Sequence, residues 1–191
     1  VYLYSHTGCN QACRFCHLTA TKHVRMQDVT LDVFLVQADA VLAAIARGVP
    51  LIELDIDDEL DMFAPDSYDV VVLSRTLEAL FRPDLVLRQL RVIAPRIILT
   101  MPNFGLWRHR LRLLSGHMPR SRDLPYSWYE TPNLHFTTLV DLEPLFAEVG
   151  LVVEKRIPLT ASGRPRTFGQ LAANLMASSA IYVLQRGAPT S

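Results

Sequence analysis

Cys9, Cys13 and Cys16 are the three cysteines of this chain, and all lie in the run Gly8-Cys-Asn-Gln-Ala-Cys-Arg-Phe-Cys-His17. The spacing C-x-x-x-C-x-x-C places three thiolates on one tight loop. Three thiolates can hold three irons of a [4Fe–4S] cluster and leave the fourth iron open to a ligand. The same spacing suits a zinc ion, with His6 or His17 as fourth ligand. Disulfide pairing fails on arithmetic, because an odd thiol is left over. Clustered free cysteines with none elsewhere fit a reducing cytoplasm.

Other residues could carry chemistry further along. Ser74 follows a strand-like run and would stand at the carboxyl edge of a sheet, where α/β folds bind ligands. A helix cap would explain it equally well. Arg108, Arg110 and Arg112 beside Trp107 could contact phosphates and stack on bases. A solvated amphipathic helix explains them better, with Leu106, Leu111, Leu113 and Leu114 as its apolar side. Tyr126, Trp128, Tyr129 and His135 could line a lid or a partner surface, fill the core, or supply a general base at His135.

These residues need a frame. Val1 to Tyr4 reads as a short strand ahead of the Cys loop. Thr30 to Arg47 reads as a helix, with apolar residues recurring at three and four and stopped by Gly48 and Pro50. Strands are expected at Leu51 to Ile56, Asp69 to Leu73 and Arg96 to Met101, the second read as buried on both faces. Pro83 to Ile93 reads as a helix with Pro in its first turn. Leu139 to Val149 is a further helix, closed by Gly150. Strands at Leu151 to Ile157 and Ala180 to Gln185 follow, the last antiparallel at or near an edge. Residues 103–135 carry both tryptophans and an arginine-rich stretch, and residues 159–170 read as a polar loop. The alternation implies an α/β fold, a mostly parallel sheet with helices on both faces.

Bulk properties exclude some classes. The 191 residues are half hydrophobic and carry no formal net charge, which gives no argument for nucleic acid or an anionic membrane. No apolar run approaches the ~18 residues of a membrane span, and no signal segment opens the chain. The chain begins on Val1, inside an apolar run, as a piece of a longer protein would.

Two resemblances accompany these readings. Ser5-His-Thr-Gly-Cys9-Asn-Gln-Ala-Cys13-Arg-Phe-Cys16-His resembles the opening of a radical S-adenosylmethionine (SAM) enzyme of the RlmN-like kind. That resemblance implies a cluster on Cys9, Cys13 and Cys16, with SAM chelated at the open iron. From about Ala46 to Gly187 the chain resembles the methionine biosynthesis protein MetW family, a branch of the class I SAM-dependent methyltransferase fold. The residues that carry this are Met101-Pro-Asn-Phe-Gly-Leu-Trp and Pro125-Tyr-Ser-Trp-Tyr-Glu-Thr-Pro-Asn-Leu-His-Phe136, with Ser67-Tyr-Asp-Val-Val-Val-Leu-Ser-Arg-Thr-Leu77 before them. The resemblance implies a Rossmann-like fold, SAM as cofactor and a homoserine O-acyltransferase as partner. It implies that Asp55 accepts a hydrogen bond from the adenine amino group, and that Ser74 lies on the cofactor side. A cap beside Asp57 and Asp58 is the alternative for Asp55. Asn103 falls where such folds carry substrate-side residues, and turn chemistry with Pro102 is its alternative.

No G-x-G turn occurs in the chain, although this fold uses one where backbone approaches the methionyl end of SAM. Residues 1–47 are therefore expected to form a radical-SAM-like strand, loop and helix in place of the first strands. Residues 48–191 form the MetW-like remainder, and the two pack as one compact domain with Val1–Tyr4 in a central place. An exposed sheet edge is the expected defect. Alternatives are a radical SAM enzyme fragment and an inactive chimaera.

Overall fold

The computed structural model describes residues 2–4, 17–21, 51–53, 55–131 and 133–187. Cys9, Cys13, Cys16 and the helix expected over Thr30–Arg47 lie outside the described residues.

Among the described residues, seven strands form one sheet in the order β3-β1-β2-β4-β5-β7-β6. They are β1 (Tyr2–Tyr4), β2 (His17–Thr21), β3 (Leu51–Glu53), β4 (Val70–Ser74), β5 (Arg96–Pro102), β6 (Leu151–Leu159) and β7 (Ser179–Arg186). The α-helices of the described residues are α1 (Pro83–Ile93), α2 (Trp107–Leu114), α3 (Leu139–Glu148) and α4 (Gln170–Met176).

The sheet is mixed. β1 with β3 and β4 with β5 run parallel, as the alternation of strands and helices demands. The β1–β2, β2–β4, β5–β7 and β6–β7 pairs are antiparallel. Sequence patterning does not reveal β2, a five-residue strand whose run His-Leu-Thr-Ala-Thr has little apolar content. Its presence moves Tyr2–Tyr4 away from the centre: β2, not β1, lies beside β4. The last strand is antiparallel and one in from the β6 edge, as expected.

The core forms on one face of the sheet. Val71 and Leu73 pair with Ile97 and Leu99, which pair with Leu184 and Tyr182, and all are buried. The alternate positions Val72, Ile98 and Val183 are only half-buried. β4 thus shows period-two burial, where its unbroken apolar run had suggested burial on both faces. α1 contributes Val86, Leu87, Leu90 and Ile93, the three-and-four stripe of an amphipathic helix. α3 sets Phe146 against Tyr182 with ring centroids 5.2 Å apart in an edge-to-face arrangement. Each of these side chains contributes ~1.5–3 kcal/mol of burial.

The helix ends are fixed by side chains distant in sequence. Arg82 precedes α1 without a capping side chain of its own. The Asp57 carboxylate fills that role, accepting from the Phe81 N–H at 3.1 Å and the Arg82 N–H at 3.2 Å. α3 starts at Thr138, whose hydroxyl accepts from the Asp141 N–H. It ends at Gly150, where φ is +77°, the left-handed conformation glycine adopts without strain.

Candidate functional site

The carboxyl ends of β4 and β5 open into the chemistry of the molecule. Ser74 ends β4 and is exposed, beside His17 of β2 and Thr100 of β5 in register. Arg75 follows with φ +55°, rare for a residue with a Cβ. Its N–H is held by Thr100 Oγ1 at 3.0 Å. The Arg75 guanidinium donates to the Asp123 carbonyl and stands 3.8 Å from its carboxylate. The Ser178 hydroxyl donates to the same carboxylate. Asp123 therefore ties the long excursion after β5 back to the ends of β4 and β7.

Asn103 anchors the start of that excursion. It is fully buried, and its amide nitrogen donates to the carbonyls of Asn174 and Ala177, each at 2.8 Å. Its Oδ1 accepts from the Gly105 N–H at 3.0 Å. A Cβ at Gly105 would stand 3.0 Å from that same oxygen, so a larger residue there would push its neighbours aside. The Asn103 side chain is thus spent on structure.

Two buried titratable groups lie beside this edge. Glu78, in the 3-10 turn Leu77–Ala79 after β4, is buried, and burial pushes its carboxyl up to about 7. Its Oε2 has no hydrogen-bond partner, while its backbone carbonyl accepts from Leu134 and His135. His109 lies on the inner side of α2 with both ring nitrogens unpartnered, and burial lowers its pKa. Its ring packs against that of Phe104 in a tilted arrangement, with centroids 5.9 Å apart.

The outer side of the excursion carries the apolar surface. α2 forms as expected, but Leu111, Leu113 and Leu114 face outward, and Leu114 is 84% exposed. Arg108 lies over the Trp107 ring at 5.3 Å. Trp128 is 73% and Tyr129 64% exposed, packed edge-to-face on each other at 5.5 Å. These two do not fill the core. His135 is exposed as well.

Asp55 stands apart from Ser74 in its bonding. Its Oδ1 accepts the Asp57 N–H at 3.0 Å and its backbone carbonyl accepts the Glu59 N–H, closing the turn after β3. SAM was the cofactor implied for this edge. The strand beside β4 must then deliver a turn at the carboxyl edge for the methionyl end. β2 runs the opposite way: its first residue, His17, pairs with Ser74, and its last, Thr21, pairs with Val70 at the far edge. Among the described residues, no group of three or more His, Cys, Asp or Glu could hold a metal ion.

Sequence reasoning passed over Glu78, His109, Asp123 and Ser178. Glu78 carries a faint signal, an acid inside the apolar run Leu77-Glu-Ala-Leu80. The others meet only through folding.

The family model of the methionine biosynthesis protein MetW matches residues 5–184. The chain belongs to the MetW family. The match begins at residue 5, well ahead of Ala46, and so runs through the Cys segment rather than stopping behind it. A curated relative is the bifunctional methionine biosynthesis protein MetXA/MetW of Rhodopirellula baltica. It is 26% identical over 153 residues, which cover 79% of this chain and 25% of that protein. The MetW-family chain thus spans about a quarter of that relative's length. Among solved structures, a SAM-dependent methyltransferase of Thermotoga maritima is similar with TM-score 0.54 and 13% identity, covering 76% of this chain and 68% of that one. A SAM-dependent methyltransferase of Mesorhizobium loti gives TM-score 0.50 and 14% identity, covering 78% and 76%. These likenesses show the α/β, Rossmann-like class I methyltransferase fold of this MetW-family chain.

Proposed function

We propose that this MetW-family chain acts in methionine biosynthesis as a methyltransferase-fold partner of a homoserine O-acyltransferase, rather than as a self-sufficient methyltransferase. The observation that carries this reading is the excursion between β5 and α3. It is pinned from inside by Asn103 and Asp123, and it turns Leu114, Trp128 and Tyr129 outward. Exposed aromatic residues on a rigid mount are what a protein interface uses as anchors. The name of the MetXA/MetW relative, one chain bearing both labels, supports the choice of partner.

The experiment is a pull-down and titration of the acyltransferase with the full chain, against Trp128→Ala and Tyr129→Ala. Binding that weakens at least tenfold in either variant supports the proposal, with circular dichroism verifying the fold. Binding of equal strength in both variants, or none by the parent chain, overturns it.

The adenine reading of Asp55 is supported by its position just past β3 and weakened by the commitment of its Oδ1 to Asp57. SAM titration of the parent chain and Asp55→Asn tests it. The iron–sulfur reading of Cys9, Cys13 and Cys16 rests on their spacing and on the radical-SAM-like run around them. An anaerobic iron and sulfide assay on the reconstituted chain, with Cys13→Ser as control, tests that reading.

A further inference from the structure

α2 has an inner side, where His109 is buried, and an outer one. At about 100° of turn per residue, Trp107, Leu111 and Leu114 fall on the side opposite His109, at the spacing i, i+4, i+7. All three are exposed, Leu111 at 55% and Leu114 at 84%. Along the axis they span about 10 Å. They form a narrow seam, not the broad apolar arc of a helix that beds on a core or lies in a bilayer surface. An exposed seam at this spacing is what a helix carries when it enters a groove on another protein.

Arginines border the seam. By the same turn, Arg108 and Arg112 fall on one flank and Arg110 on the other, and all three are exposed. Two of them are oriented. The Arg108 guanidinium lies 5.3 Å from the centroid of the Trp107 ring, and Arg110 Nε donates to the Gly105 carbonyl at 2.7 Å. From Pro102 to Arg122 the chain holds five arginines and no Asp or Glu. Among the described residues, no carboxylate forms an ion pair with any of the five. Asp123, which ends the stretch, is taken by Arg75 and Ser178. A chain of zero formal net charge thus carries a local positive surplus around an apolar seam.

We propose that this seam docks into an apolar groove, rimmed by carboxylates, on the acyltransferase partner. The inference rests on the partnership proposed above; it adds α2 as the docking element and the charge of the surface that receives it. Leu111 and Leu114 fill the groove, with Trp107 at one end. Rim carboxylates take the planar guanidinium forks of Arg108 and Arg112 on one side and of Arg110 on the other. Nucleic acid would match the arginines but not the leucines between them.

The test is a titration of the acyltransferase with the full chain, with Leu111→Ser and with the double variant Arg108→Glu, Arg112→Glu. The side chains changed are exposed, so the fold is retained, and circular dichroism verifies it. The parent Kd should rise at least tenfold between about 0.05 M and about 0.5 M salt. Leu111→Ser should weaken binding at least tenfold and keep that salt dependence. The double charge reversal should weaken it at least tenfold at low salt and flatten the dependence. Binding by the parent chain that is indifferent to salt, or unchanged in both variants, overturns the inference and leaves the partnership standing on Trp128 and Tyr129. Attachment to anionic phospholipid vesicles that Leu111→Ser abolishes, with acyltransferase binding intact, assigns the seam to a membrane and overturns it too. If the parent chain does not bind the acyltransferase at all, the partnership itself falls and this inference falls with it.

Discussion

The side-chain amide of Asn103 donates to the backbone carbonyl of Ala177 at 2.8 Å, across 74 residues of sequence. This bond closes the mouth of β5 onto the C-terminal end of α4. It also fixes the angle at which the aromatic excursion leaves the sheet, because the same side chain holds the Gly105 N–H.

Asn103→Ala leaves one buried carbonyl, one part-buried carbonyl and one buried N–H without their partner. Each unsatisfied group costs ~1–3 kcal/mol, so a loss of about 3 kcal/mol is expected in urea denaturation. Asn103→Asp is expected to be worse, since it turns a donor into an acceptor facing two carbonyls.

Asp57→Ala removes the carboxylate that takes the Phe81 and Arg82 N–H groups ahead of α1. The expected cost is about 1 kcal/mol, the usual value of a lost N-terminal cap. A shift of the urea midpoint with unchanged slope checks it, because the helix itself remains.

Glu78 makes stability depend on pH. Burial raises its pKa from 4.5 to about 7, so the folded chain keeps a proton that the unfolded chain releases. Stability is therefore lost as pH rises from 4.5 through about 7, by an amount on the order of 3 kcal/mol. Glu78→Gln should abolish this dependence and be more stable than the parent above that range. Urea midpoints on either side of the window check the sign; a parent chain that gains stability across it, relative to Glu78→Gln, contradicts the argument.

Gly150→Ala forces a Cβ onto a residue with φ +77° and within 2.9 Å of Arg91 Nη1. The guanidinium is the far end of a flexible chain and can move. The backbone cannot, so the expected cost is about 1 kcal/mol, read from thermal denaturation.

Leu114→Asp changes a side chain that is 84% exposed, so the folded chain should lose no more than about 0.5 kcal/mol. Acyltransferase binding should weaken markedly if the outer side of α2 belongs to the docking face. The comparison of denaturation midpoint with binding isotherm separates the two effects.

The amino-acid order by itself determined the elements whose signals are local. α1 runs from Pro83 to Ile93 as read, since its proline start and three-and-four stripe are properties of neighbours in sequence. β4, β5 and β7 fall within one or two residues of their apolar runs for the same reason. The MetW resemblance was equally legible, because it rests on contiguous words such as Pro-Asn-Phe-Gly and Pro-Tyr-Ser-Trp-Tyr.

Tertiary structure alone decided what those elements meet. β2 has too little apolar character to announce itself, and its antiparallel run beside β4 is a fact of pairing. Leu111, Leu113 and Leu114 read as an apolar side for burial, yet they face outward. Which side of a helix is covered depends on what lies opposite it, and here His109 and Leu106 take the inner positions. The bonds of Asp123 to Arg75 and Ser178 join groups 48 and 55 residues apart. No local spacing encodes such a meeting; it exists only once the sheet has brought the ends of β4 and β7 to one edge.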